Sequence, residues 1–127
     1  MDDPSRQWAE RGRYDLDTAD AMFRAGRYLY VLLCCQQAIE KYLKSVIVQR
    51  TNKLPPRIHQ LARLAEIAAV APDERQVDFL RELSGYYIPT RYPEDIADLA
   101  LDVKPEKALR VLGQSREFVQ WLNSISR

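Results

Sequence analysis

Apolar positions recur at spacings of three and four along most of the chain, and the clearest case is Tyr28 to Arg50, YLYVLLCCQQAIEKYLKSVIVQR, which holds no Gly or Pro. Leu32, Cys35, Ile39, Leu43, Val46 and Arg50 fall on one helical face, apolar up to its last member. The opposite side carries Gln37, Lys41 and Lys44 about one turn apart, with Cys34 and Val48 as flanks. The pattern predicts a central helix whose apolar face meets its own domain and whose polar face meets a second chain or a ligand.

The flanking segments read the same way. Trp8, Gly12, Leu16, Ala19 and Phe23 step by three and four, which predicts a first helix from about Pro4 to Arg24. Ala25-Gly26-Arg27 then breaks it, with Gly26 suited to the left-handed residue that closes a helix, and so tight a break implies an antiparallel hairpin. After Arg50, Leu54-Pro55-Pro56 cannot continue a helix, because proline lacks the amide donor and pushes the preceding residue toward extended geometry. Ile58, Leu61, Ala65 and Ala68 predict a third helix over 57–70, stopped by Ala71-Pro72. Asp73 with Gln76 resembles a capping box that opens a fourth helix through Val77, Leu80 and Leu83 to Tyr87 or Ile88. Residues 89–103 show no period, and so long a connection suggests either a function or a hidden short element. Pro105 suits the first position of a last helix carrying Ala108, Val111, Ser115, Phe118, Leu122 and Ile125. The expectation is all-α, an up-and-down four-helix bundle with an additional short helix, about five helices in one domain over 1–127.

Composition narrows the function classes. Nineteen basic and eighteen acidic residues leave a net charge of +1, which argues against a non-specific DNA coater. The charges are unevenly placed: Lys41, Lys44, Arg50, Lys53 and Arg57 follow one another without an acid, whereas Glu94, Asp95, Asp98 and Asp102 form an acidic run. The adjacent Cys34 and Cys35 point about 100° apart on a helix and are read as reduced core or interface residues. One histidine cannot complete a zinc site, and the acidic run lacks the spacing and turn glycine of a calcium loop, so no metal and no cofactor are expected. No apolar run approaches the roughly 18 residues of a membrane span, and MDDPSRQWAERGR lacks an export signal's apolar centre, so a cytoplasmic location without membrane contact is expected.

A functional class comes from three motifs taken together: Gln36-Gln37-Ala38-Ile39-Glu40-Lys41-Tyr42-Leu43-Lys44, the His-x-Leu step at His59 and Leu61, and Tyr86-Tyr87-Ile88-Pro89-Thr90-Arg91-Tyr92-Pro93. In this order they resemble the HEPN family, the higher eukaryote and prokaryote nucleotide-binding domain, over nearly the whole chain. The resemblance implies a HEPN-like helical bundle that forms a homodimer, often beside a small nucleotidyltransferase partner in toxin–antitoxin pairs, with roles in nucleotide binding or RNA cleavage. Ribonuclease members use an Arg-x(4–6)-His motif at a dimer cleft. Here the sole histidine is His59, and the positions for the arginine hold Leu54, Lys53 and Asn52. The motif is absent, so no catalytic residue is assigned.

The expected nucleotide- or phosphate-binding residues are Lys41, Lys44, Tyr87, Arg91 and Tyr92, with Gln37 and His59 in support. Arg91 would offer a guanidinium fork to phosphate and a tyrosine a stacking surface. The plainer reading pairs Arg91 with the acids at 94, 95 or 98 and packs Tyr92 on the bundle. A lone imidazole can serve as a general base at neutral pH, but at a helix start it commonly only hydrogen-bonds a neighbouring turn. The leading expectation is a non-catalytic homodimer that binds nucleotide or RNA or partners a nucleotidyltransferase. The alternatives are a divergent ribonuclease toxin using His59 or Arg91, and a structural dimerisation or assembly subunit.

Overall fold

A computed structural model describes residues 3–87, 93, 97 and 103–125. Five helices are found among them: α1 (Pro4–Arg24), α2 (Tyr28–Thr51), α3 (Leu61–Ala68), α4 (Glu74–Ser84) and α5 (Pro105–Ile125). The all-α bundle is as expected. Segment 89–103 lies almost wholly outside the described residues.

The helices begin and end where local chemistry says they should. The Asp3 side chain accepts a hydrogen bond from the Ser5 amide at 3.0 Å, with Pro4 in the first turn, so one orphan donor of the α1 start is satisfied. Gly26 has φ 74° between α1 and α2, a conformation that costs glycine nothing. Asn52 closes α2 in the same left-handed region at φ 56°, which a short polar side chain tolerates. Asp73 and Gln76 form the capping box of α4, each side chain bonded to the other's backbone at 2.8–2.9 Å.

Two boundaries differ from the sequence expectation. The third helix starts at Leu61 rather than near 57, because Gln60 is extended and the Leu61 amide is taken by Ser84 Oγ at 2.9 Å. The fourth ends at Ser84 rather than Tyr87, since the amides of Gly85, Tyr86 and Tyr87 bond three residues back and tighten the last turn.

Helix α2 packs against all four others. It is buried nearly all round, from Leu29, Val31 and Leu32 through Leu43 to Val48, and includes Gln36, Glu40 and Lys44. Buried leucines and isoleucines of this kind contribute roughly 1.5–3 kcal/mol each. The α1–α2 hairpin is close: Ser5 and Ser45 exchange hydroxyl-to-carbonyl hydrogen bonds at 2.9 and 2.7 Å. A Cβ on Gly12 would stand 2.8 Å from the Tyr42 ring, so the helices approach there only because Gly12 has no side chain.

Arg50, the polar end of the apolar stripe, donates to the carbonyls of Ala68 and Ala69 at 3.0 and 2.8 Å and of Ile125 at 3.4 Å. It thus satisfies orphan carbonyls at the ends of α3 and α5. Cys35 is fully buried and Cys34 half-buried, both free of disulfide bonds; burial pushes the Cys35 thiol up to about 11, which makes it an unreactive core group.

Candidate functional site

The run QQAIEKYLK builds a polar node on the inner side of α2. Gln36, Glu40 and Lys44 stand four residues apart and so stack along one face. Gln36 Nε2 donates to Glu40 Oε1 at 3.0 Å, and Lys44 Nζ to Glu40 Oε2 at 3.0 Å. Glu40 and Lys44 side chains are each 7% exposed. A carboxylate this deep costs far more than it returns unless its lone pairs are filled, and here they are. The remaining contact is His59, whose Nδ1 lies 3.0 and 3.1 Å from the two oxygens of Glu40. An ionised Glu40 can only accept, so Nδ1 carries the hydrogen, and among the described residues no hydrogen bond to the other ring nitrogen is found.

The outer layer is aromatic. The Tyr87 ring stacks on His59 with centroids 4.1 Å apart and planes 17° from parallel. His59 keeps 42% of its side chain exposed and Tyr87 is half-buried, so the pair is a surface with a buried anchor. On the far side Lys44 Nζ stands 5.6 Å from the Trp8 ring centroid, a cation–π distance that ties the node to α1.

Of the expected site residues, the structure joins Gln37, Lys44, His59 and Tyr87 through this node; Gln37 enters by donating to Gln36 Oε1 at 2.9 Å. Lys41 is not part of it, since its ammonium pairs with Asp15 on α1. The expectation that Lys44 lies on an outward polar face beside Lys41 does not hold. Lys44 is buried and neutralised by Glu40, because α2 is covered on that side by α1 and by the connection carrying His59. Arg91 and Tyr92 lie outside the described residues, as do Glu94, Asp95, Asp98 and Asp102.

Sequence reasoning missed Glu40 and Gln36 as participants. The available signal was the i, i+4 ladder 36–40–44 inside the motif itself. Among the described residues no group of three or more His, Cys, Asp or Glu side chains could hold a metal ion, and no helix is long and apolar enough to cross a membrane.

The HEPN domain profile matches residues 5–125. The structure is similar to that of TT1696 from Thermus thermophilus, with a TM-score of 0.76, 26% identity, and coverage of 94% of this chain and 96% of that one. It is also similar to ST0689, an archaeal HEPN homologue, with a TM-score of 0.79, 16% identity, and coverage of 99% and 100%; at that identity the likeness is one of fold. No match is found among curated proteins. With the motif order, the helix order and a profile that spans nearly its full length in agreement, this chain belongs to the HEPN domain family.

Proposed function

We propose that this chain is a HEPN-domain binding protein, a homodimer that takes a nucleotide or an RNA segment without an Arg-x(4–6)-His nuclease centre and can partner a small nucleotidyltransferase. The observation that carries the reading is the stacked His59–Tyr87 ring pair, His59 exposed and Tyr87 half-buried, held in place from below by buried Glu40. A flat pair of rings with fixed orientation is a stacking surface for a base, worth about 1–3 kcal/mol per stacked base. Arg91 follows Tyr87 by four residues and supplies the guanidinium for phosphate, with Tyr92 beside it. Lys44 acts beneath the site by fixing Glu40.

Titration of the purified chain with nucleoside mono- and triphosphates and a short single-stranded RNA tests this, read by calorimetry. Tyr87→Ala and Arg91→Ala should each weaken binding about tenfold, and Arg91→Ala should flatten the salt dependence. Unchanged affinity in both variants refutes the site.

The hydrogen bond from His59 to Glu40 favours one second reading, a divergent ribonuclease. A carboxylate that fixes the imidazole's orientation leaves its outer nitrogen able to take a proton from a ribose 2′-hydroxyl. RNA cleavage abolished by His59→Ala and depressed by Glu40→Gln supports it; intact RNA at high protein concentration removes it.

A further inference from the structure

The α3–α4 pair leaves a space that its own side chains do not fill. Ala62, Ala65 and, at the cap, Ala69 follow one another by three and four residues and share a face of α3. Val77 and Arg81, four apart, do the same on α4. Methyl groups where larger side chains would interdigitate leave a hollow of about 480 Å³, within the range of roughly 300–1,000 Å³ that takes a small ligand. Its walls are aliphatic: Ala62, Ala65, Ala69, Ala71 and Val77, and among the described residues no aromatic ring lines it.

Backbone and charge both mark this hollow. Ala69 and Ala71 have φ 56° and 52°, a region that costs a residue with a Cβ and costs glycine nothing. Glycine at either position would make the same turn without the methyl wall. Glu66 and Arg81 are the two charged side chains in the lining. Glu66 is already bridged to Arg63 at 2.9 Å, whereas Arg81 is exposed and no hydrogen bond or ion pair to it is found among the described residues. One uncommitted guanidinium therefore borders an aliphatic hollow.

We propose that the α3–α4 hollow binds a medium-length aliphatic carboxylate, its tail against the alanine and valine walls and its head on Arg81. The tail gains by leaving water for apolar walls, and the guanidinium fork matches the two oxygens of a carboxylate. A single free cation suits a monoanion better than a dianionic phosphate. A nucleotide is disfavoured, because the lining offers no ring on which a base could stack. The hollow shares no residue with the His59–Tyr87 surface, so the two sites stand or fall separately.

Isothermal titration of the full chain with decanoate below its micelle concentration tests the proposal, with circular dichroism as the check on folding. Saturable one-to-one binding is expected. Arg81→Ala, an exposed change that leaves the bundle intact, should weaken it about tenfold, and Ala62→Phe should weaken it by filling the hollow. Glycine at both 69 and 71 separates the wall from the fold: that double variant should unfold at no lower a urea concentration than wild type, because strain is relieved, yet bind decanoate more weakly. Decylammonium, the same tail with the opposite charge, should bind about tenfold more weakly than decanoate or worse. Decanoate that gives no saturable heat overturns the proposal. So does binding that neither Arg81→Ala nor Ala62→Phe changes, which would place the chain elsewhere. Equal affinity for decylammonium also overturns it, since the hollow would then have no head-group site.

Discussion

Two carboxylates link neighbouring elements of this bundle, and they do so in opposite environments. Glu40 sits inside, accepting from Gln36, Lys44 and His59, and ties the 52–60 connection to α2. Glu82 sits on the rim of α4, accepting from both terminal nitrogens of Arg110 on α5 at 3.0 and 2.7 Å and from the Tyr86 hydroxyl at 2.6 Å. Both carboxylates have both oxygens engaged, Glu40 at 3.0–3.1 Å and Glu82 at 2.6–3.0 Å; the solvent around them differs. The Glu82 and Arg110 side chains are 32% and 47% exposed, so water and salt can replace much of what either partner loses. No such replacement reaches Glu40. Similar hydrogen-bond patterns thus have different consequences, and the buried one supports the candidate site.

The largest effect separating them is removal of the buried charge. Glu40→Ala strands Lys44 in the core and should lower stability by about 3–5 kcal/mol, read from the urea midpoint at constant slope. A second change, Lys44→Met, should recover part of that loss, since the stranded ammonium rather than the missing bond dominates the cost. A double variant no more stable than Glu40→Ala would mean the ion pair is not the reason for the node. Next in size is His59→Ala, which removes one hydrogen bond to a charged group and a stacked ring. Its half-exposed position limits the loss to about 1–2 kcal/mol. In the folded protein it should also release Tyr87, seen as a change in that residue's aromatic proton shifts.

How much of this is legible in the chain follows from the same contrast. The amphipathic stripes place α1, α2 and α5 closely, because periodicity reports which side is buried. The Asp73–Gln76 box places the start of α4, because a cap is a local bond between near neighbours. Lys44 is misplaced by periodicity for a physical reason: a lysine reads as solvent-facing unless its partner is known, and its partner Glu40 lies one turn away in the motif but becomes a buried acceptor only when α1 and the His59 connection cover it. His59 cannot be connected to Glu40 from spacing, since the link crosses nineteen residues and depends on an extended Gln60. Tyr87 is recognisable as a stacking residue, but its partner ring is set by tertiary contact. The late arginine motif lies beyond the described residues, so its part in the site is a proposal.

The smallest predicted effect concerns Glu82, and its sign can be worked out. The hydrogen bond from Arg110 is the main cause that holds the Glu82 carboxyl below its ordinary value of 4.5; burial opposes it, and the Tyr86 hydroxyl adds to it. A carboxyl that ionises more readily in the folded state contributes stability fully present above its unfolded value and lost as pH falls through the folded one. Glu82→Gln should therefore cost at most about 1 kcal/mol at neutral pH, and the gap from wild type should narrow below about pH 4.5 as the wild-type carboxyl takes up its proton. Added salt should narrow the same gap at neutral pH, because the pair is reached by ions. The cost of Glu40→Ala should stay nearly constant across that salt range, since ions do not reach the node. If both variants respond to salt alike, the division between a buried and a solvent-screened carboxylate fails, and with it the argument that Glu40 can anchor the His59–Tyr87 surface independently of the medium.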